Sequence, residues 1–255
     1  MILAIDIGNT NIVIGCFDES GVLFKERVST NRTATDLEYA ATMKTALDMH
    51  DIVKTDISGA IVSSVVPSVT NTVTRAIEKL YSVKALVIGP GIKTGLSIKI
   101  DNPAQLGSDL VVDAVAGTNE YPVPQIIIDM GTATTFSVID SKKDYLGGII
   151  TTGMAVSTDA LISRTSQLPR FSFDTPKKVI GTNTVDCLKS GLMYSNAAIL
   201  DGIVERIEEE LGEKCTVIAT GGLSHLVVPL CKKEIILDDD LLLKGLMLIY
   251  NKNTK

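Results

Sequence analysis

Several residue types and patterns that indicate common classes of function are scarce in this chain. Its 255 residues include only two histidines and four cysteines, and no Cys-x-x-Cys pair. A histidine-rich metal site, a zinc knuckle and a dithiol redox motif are therefore not expected. The cysteines are predicted to be reduced and mostly buried thiols: Cys16, Cys187, Cys215 and Cys231.

Long runs of basic residues and long runs of apolar residues are missing as well. The net charge is −6 and no basic cluster stands out, so no nucleic-acid partner is expected. No apolar stretch approaches the roughly 20 residues of a membrane span, and no basic segment precedes the first apolar run. The sequence therefore predicts a cytoplasmic protein without membrane contact, and its 45% apolar residues can bury a substantial core.

The chain does contain a repeated pattern in which an apolar strand ends in Asp-x-Gly. The segment "IDIGNTN" near the N-terminus matches "IDMGTAT" about half a chain later, so that Asp6 aligns with Asp129 and Gly8 with Gly131. Each copy continues as a predicted antiparallel hairpin. One such match is typical of an ordinary β-hairpin turn, but two in corresponding places favour two similar α/β halves that face each other.

Helical patterns fit between the predicted strands. A helix capped by Thr35 is expected in the first half, and another follows a predicted strand over Ile57–Val66. A long helix is predicted to end at Gly212, and a further one closes the chain. We predict an N-terminal half of residues 1–118 and a C-terminal half of residues 119–255.

Both Asp-x-Gly turns have the composition of a phosphate clamp. Glycine lets backbone N–H groups approach phosphate oxygens, Thr and Asn side chains donate hydrogen bonds, and Asp can hold hydrated Mg²⁺. The candidate metal ligands are Asp6 and Asp129. The candidate ATP and phosphate ligands are Asp6, Gly8, Asn9, Thr10 and Asn11 in one turn, and Gly131, Thr132 and Thr134 in the other.

Two further stretches are candidates for the same site. In "VIATGGL" a strand runs into Gly221 and Gly222, where bare backbone would let a flat ligand such as adenine lie close. The alternative is a plain strand-to-helix turn. In "LGSDLVVDA" Asp109 begins a predicted helix and could accept a proton from a substrate hydroxyl, or Ser108 or Asp109 could simply cap that helix.

Taken in order, these motifs resemble the type III pantothenate kinases of the acetate kinase, sugar kinase, Hsp70 and actin superfamily. "DIGNTN" and "DMGTATT" resemble the phosphate motifs of this family, and "ATGGL" resembles its adenosine motif. The resemblance covers nearly the whole chain and implies an actin-like, ribonuclease H-like α/β fold whose two halves face across a nucleotide cleft. It implies ATP-dependent phosphorylation of pantothenate to 4′-phosphopantothenate, the first step of coenzyme A synthesis, by a homodimer that uses Mg²⁺ and a monovalent cation (K⁺ or NH₄⁺).

The resemblance also assigns roles to individual residues. It implies that Asp109 is the catalytic base, and that the substrate is bound by Gly107, Ser108, Asp109, Leu110 and Thr184. Leu110 stands where the family motif Gly-x-Asp-Arg has arginine, and leucine offers neither charge nor donor. Two alternatives to a pantothenate kinase stay open: a small-molecule kinase of the same fold with a changed acceptor, and a nucleotide-binding regulatory paralogue with little catalysis.

The predicted long helix over residues 185–212 bears on assembly. It carries more apolar side chains than one sheet contact needs, which together with the resemblance favours a homodimer. These side chains are Leu188, Leu192, Met193, Ile199, Leu200 and Ile203.

Overall fold

The computed structural model describes residues 1–254, and strands and helices alternate along this range. The strands are β1 (Ile2–Ile7), β2 (Asn11–Asp18), β3 (Gly21–Ser29), β4 (Gly59–Ser64), β5 (Ala85–Val87), β6 (Ser97–Ile98), β7 (Gln125–Met130), β8 (Ala133–Ile139), β9 (Asp144–Thr152), β10 (Thr216–Thr220) and β11 (Ile236–Leu237). The helices are α1 (Asp36–Asp48), α2 (Pro67–Tyr81), α3 (Ser108–Glu120), α4 (Met154–Ser163), α5 (Thr184–Leu211), α6 (Ser224–Val227) and α7 (Leu241–Thr254). No helix within residues 1–254 is long and apolar enough to cross a membrane.

Contacts divide the chain into two compact units. The first contains Met1–Leu96, Asp101–Ala116 and the segment that begins at Asp240. The second contains Ser97–Ile100 and Gly117–Asp239. The division after Ala116 lies two residues before the predicted end of the N-terminal half at residue 118, and α7 belongs to the first unit.

The first unit is built on a five-stranded sheet with the order β3-β2-β1-β4-β5. β1 pairs antiparallel with β2 and parallel with β4. One face of the sheet packs against α1 and α2, and the other against α3 and α7. Helices cover this central strand on both faces, so Leu3–Ile7 is buried without interruption, including the carboxylate-bearing Asp6.

The second unit repeats this plan. Its sheet has the order β11-β10-β7-β8-β9-β6, and β7 pairs antiparallel with β8 and parallel with β10. β7–β11 thus reproduce the order and directions of β1–β5, and β6 adds an edge strand. Helices α4, α5 and α6 cover one face. The predicted α/β fold with two similar halves is confirmed at the level of each unit.

Two helix ends lie where the sequence predicted them. The hydroxyl of Thr35 accepts the N–H of Glu38, and the Glu38 carboxylate accepts the N–H of Thr35, so α1 begins with a capping box. α5 is followed by Gly212 with φ of +72°, a left-handed conformation that glycine adopts without steric cost. Local sequence signals therefore decide both ends.

The cysteines are free thiols, but one of them departs from the prediction. Cys16 is buried and Cys215 and Cys231 are half-buried, whereas Cys187 is exposed. The prediction of mostly buried thiols is therefore wrong for Cys187, which lies in the first turn of α5. Burial raises the pKa of Cys16 and Cys215 to about 11 and that of Cys231 to about 12, so these three thiols are protonated at neutral pH.

Candidate active site

The first Asp-x-Gly turn closes the hairpin between β1 and β2. The N–H of Gly8 donates to the carbonyl of Asn11 at 3.0 Å, and a Cβ on Gly8 would lie 2.9 Å from the same oxygen. The turn itself therefore requires glycine. Asp6 is 8% exposed at the end of the central strand, whereas Asn9 and Thr10 are exposed. The turn thus presents two polar side chains beside a fixed carboxylate.

The segment after β3 holds this turn from outside, and sequence analysis missed it. The hydroxyl of Thr30 donates to the carbonyl of Gly8 at 2.6 Å, and its N–H donates to the carbonyl of Thr10 at 2.9 Å. Arg32 donates from Nη2 to Oδ1 of Asn9 at 3.0 Å. The polar run "STNRT" was the available signal, but it is equally typical of a loop.

The start of α3 is fixed to the end of β4. The Ser108 hydroxyl accepts the N–H of Ser64 at 3.0 Å, donates to the Ser64 carbonyl at 3.0 Å and contacts the hydroxyl of Ser63 at 3.0 Å. Ser63 pairs with Asp6 in the sheet. The first unit therefore links the start of α3, and with it Asp109, to the strand that carries Asp6. Ser108 serves this link, so it is not the cap that sequence analysis considered.

Asp109 lies in the first turn of α3, in a half-buried position. Its Oδ1 accepts the N–H of Leu110 at 2.8 Å, and a Cβ on Gly107 would collide with that oxygen. Burial raises the pKa of the Asp109 carboxyl above its usual value, and backbone hydrogen bonds oppose this only in part. A carboxylate made more basic in this way is better matched to accepting a proton near neutral pH.

The second Asp-x-Gly turn follows β7. The N–H of Gly131 donates to the carbonyl of Ala133 at 3.0 Å, and both Gly131 and Thr132 are exposed. A Cβ on Gly153, just before α4, would collide with the carbonyls of Gly131 and Thr132. Gly153 thus allows the chain to pass directly behind the turn, a contact that sequence analysis also missed.

This second turn is one residue shorter than the first. Gly8 pairs across its turn with Asn11, whereas Gly131 pairs with Ala133. Thr134 therefore occupies the position of Ile12 inside the strand, where it is 2% exposed, and its Oγ1 has no hydrogen-bond partner in the described part of the chain. The structure places Thr134 beneath the turn, and Thr132 is the hydroxyl that the turn exposes.

Gly221 lies against the second carboxylate. β10 pairs with β7 so that Thr220 is opposite Asp129. Gly221 follows with φ of +94°, and a Cβ there would be 2.5 Å from Oδ1 of Asp129 and 2.6 Å from the N–H nitrogen of Met130. Packing against Asp129 and Met130 therefore leaves no room for a side chain at residue 221. Within the second unit, the "ATGGL" motif thus lies directly beside Asp129.

We expect Gly221→Ala to lower the free energy of unfolding by roughly 2 to 3 kcal/mol, because it adds a steric collision to a left-handed backbone. Gly212→Ala is the matched control, since its φ is +72° but no atom lies within 4 Å of the added Cβ. That variant should lose only about 1 kcal/mol. Urea unfolding of both variants measures the difference, and equal losses would contradict the packing argument.

Thr184 is exposed at the first residue of α5, which is capped by the side chain of Asn183. Within residues 1–254 no group of three or more His, Cys, Asp or Glu residues could hold a metal ion alone. Mg²⁺ in kinases does not need such a group, because one or two carboxylates act together with substrate phosphates. Asp6 and Asp129, each next to a glycine turn, have the donor type that fits this mode.

Comparison with known proteins decides the family. The sequence pattern described as type III pantothenate kinase matches residues 2–206. The chain belongs to this family. A type III pantothenate kinase from Halalkalibacterium halodurans is 44% identical over 253 residues, which is 99% of this chain and 100% of the relative. One from Exiguobacterium is 45% identical over 255 residues and covers both chains completely.

A solved structure supports the fold independently of close sequence similarity. Component A of (R)-2-hydroxyglutaryl-CoA dehydratase from Acidaminococcus fermentans aligns with a TM-score of 0.56 at 15% identity, over 100% of this type III family member and 99% of the other chain. At this identity the likeness shows the fold alone. It agrees with the actin-like α/β class that the sequence motifs implied.

Proposed function

We propose that this protein transfers the γ-phosphoryl group of ATP to the hydroxyl group of pantothenate, forming 4′-phosphopantothenate in the cytoplasm as the first step of coenzyme A synthesis. The observation that carries the proposal is the 44 to 45% identity, over essentially the whole chain, to relatives named type III pantothenate kinases. The position and raised pKa of Asp109 add a chemical argument, because the reaction needs a base at the acceptor.

In the proposed reaction the hydroxyl oxygen of pantothenate forms a bond to the γ-phosphorus as the bond from that phosphorus to the β,γ-bridging oxygen breaks. The hydroxyl proton goes to the carboxylate of Asp109, and ADP leaves. Asp109 is carried by a helix whose first residue is fixed to β4 through Ser108. This anchoring supports precise placement of the base, on which phosphoryl transfer depends.

The proposed nucleotide ligands lie in the two Asp-x-Gly turns and in the "ATGGL" motif. In the first turn they are Asp6, Gly8, Asn9, Thr10 and Asn11; in the second they are Gly131 and Thr132, and in the "ATGGL" motif they are Gly221 and Gly222. Thr134, which sequence analysis counted among these ligands, is buried beneath the second turn and is not proposed to contact the nucleotide. Bound Mg²⁺ would neutralise charge on the phosphates, and Asp6 and Asp129 would hold it. We also propose a monovalent cation, K⁺ or NH₄⁺, and acceptor binding by Gly107–Leu110 and Thr184.

The direct test is ADP release from the purified protein with ATP, Mg²⁺ and pantothenate, with the phosphorylated product identified by mass spectrometry. We expect pantothenate-dependent ADP formation and a product heavier by one phosphoryl group. Omitting K⁺ and NH₄⁺ in parallel tests the cation requirement. Absence of product at millimolar pantothenate would contradict the proposed acceptor.

We expect Asp6→Asn to raise the Mg²⁺ concentration for half-maximal turnover about tenfold, because it removes one negative charge from the proposed metal site. The side chain keeps its shape, so the fold should survive, as circular dichroism would show. Asp48→Asn changes an exposed carboxylate on α1 and should leave this concentration unchanged. Wild-type metal dependence in Asp6→Asn would rule out Asp6 as a metal ligand.

We propose further that the protein is a homodimer. Of the apolar side chains on α5 that favoured this, Met193 and Leu200 lie in the core of their own unit, whereas Ile199 is 38% exposed. Other exposed apolar side chains in the second unit are further candidates for the interface. They include Ile149, Ile150, Val156, Leu161, Val179 and Ile180, and we propose that the partner subunit covers some of them, because contiguous exposed apolar patches mark interaction sites.

Light scattering at micromolar concentration should therefore give about twice the chain mass of 27.2 kDa. Ile150→Asp should shift the protein toward monomer, since Ile150 is 74% exposed and a buried unpaired charge is costly. Val53→Asp is the control in the first unit, at 57% exposure, and should not change the mass. A monomeric wild type would contradict the dimer.

A further inference from the structure

Arg32 is the basic side chain that contacts the first Asp-x-Gly turn directly. Its Nη2 lies 3.0 Å from Oδ1 of Asn9, an exposed residue of that turn. The guanidinium group has five N–H donors, and within residues 1–254 the others meet no protein acceptor and no carboxylate lies within ion-pair distance. Most of its hydrogen-bonding capacity is therefore available beside the turn.

The backbone around Arg32 is held in place on both sides. Thr30 donates twice to the turn, from its hydroxyl to Gly8 and from its N–H to Thr10. Asn31 exchanges hydrogen bonds with the hydroxyl of Tyr39, at 2.7 and 3.2 Å, and its Oδ1 accepts two bonds from Thr33. A side chain carried by an anchored segment loses less conformational freedom when it binds a ligand.

The contact also orients the Asn9 amide. Because Oδ1 accepts from Arg32, the Nδ2 group with its two donors is the part of the amide left for other partners. Amide donors attract phosphate oxygens, whereas an amide oxygen would repel them. The guanidinium group itself matches phosphate in charge and in planar fork geometry.

We propose that Arg32 is a further ligand of the ATP phosphates, and that it holds Asn9 with its amide donors toward them. This inference rests on the proposed role of the first turn in ATP binding. Neither the Asp-x-Gly motif nor any other motif of the sequence analysis includes Arg32. The structure adds it through a contact that spans 23 residues of the chain.

Titration calorimetry with ATP and with adenosine, both in the presence of Mg²⁺, tests the proposal. We expect Arg32→Gln to raise the Kd for ATP at least tenfold, as loss of a charge-assisted hydrogen bond predicts, and to leave the Kd for adenosine within twofold. Arg32→Lys should fall between wild type and Arg32→Gln. Arg75→Gln, an exposed site on α2, should match wild type. An unchanged ATP affinity, or an equal loss for adenosine, would overturn the proposal.

A double-mutant cycle separates direct contact from action through Asn9 alone. If Arg32 binds phosphate, Arg32→Gln should still weaken ATP binding several-fold in the background of Asn9→Ala. No further loss in that background would overturn the direct contact. Turnover of wild type with pantothenate is measured in the same series, so that a protein that binds ATP but ignores pantothenate disproves the proposed acceptor while the result for Arg32 stands.

Discussion

Asp109→Asn is expected to lower kcat with pantothenate about 100-fold or more, because a neutral amide cannot accept the hydroxyl proton during phosphoryl transfer. The change preserves the size of the side chain, and an amide oxygen can still accept the N–H of Leu110. Affinity for ATP should therefore stay within twofold of wild type. Steady-state kinetics with saturating ATP and pantothenate measure the loss.

Stability measurements show whether such a loss is chemical or structural. The pKa of Asp109 is raised by burial, so the folded state disfavours its charged form. The resulting cost is fully present above the folded pKa and disappears as pH falls below the unfolded pKa. Asp109→Asn lacks this cost and should be more stable than wild type at pH 7 to 8, with the advantage shrinking in acid. If this variant kept full kcat, Asp109 would serve only the helix terminus.

Local patterns predicted much of the fold. The duplicated Asp-x-Gly strands indicated two similar halves, and the matching sheet orders of the two units confirm them. The caps at Thr35 and Gly212 depend on hydrogen bonds within one turn of helix, so neighbouring residues contain the necessary information. Such signals are reliable because the groups that interact are close in sequence.

Partners distant in sequence could not be predicted in the same way. A helix that closes the chain was predicted, but only the structure shows that Leu243, Leu246 and Ile249 of α7 pack with the sheet of the first unit. Thr134 lies in β8 and not in the second turn, because this turn is one residue shorter than the first. The strand therefore begins one residue earlier and buries the Thr134 side chain. Arg32 reaches Asn9 only because β2 and β3 fold back on β1.

Leu110→Arg is expected to raise kcat/KM for pantothenate about 10- to 150-fold. The family resemblance implies an arginine at this position, and a charge-assisted hydrogen bond to the substrate carboxylate is worth about 1.5 to 3 kcal/mol. Leu110 is half-buried in the first turn of α3, directly after Asp109, so a longer side chain has access to solvent space. The gain should come mainly through KM, because the carboxylate is bound equally in the ground state and the transition state.

Leu110→Met is the matched control, since it changes shape without adding charge, and it should leave both kinetic constants within about threefold. The competing explanation is that Leu110 marks a changed acceptor. In that case the wild type would ignore pantothenate at millimolar concentration, Leu110→Arg would give no gain, and a panel of other small hydroxy acids would reveal ADP release with a different compound. If Asp109 is the base in that case as well, the acceptor is expected to be a proton-bearing nucleophile, and hydroxy acids are the first compounds to test.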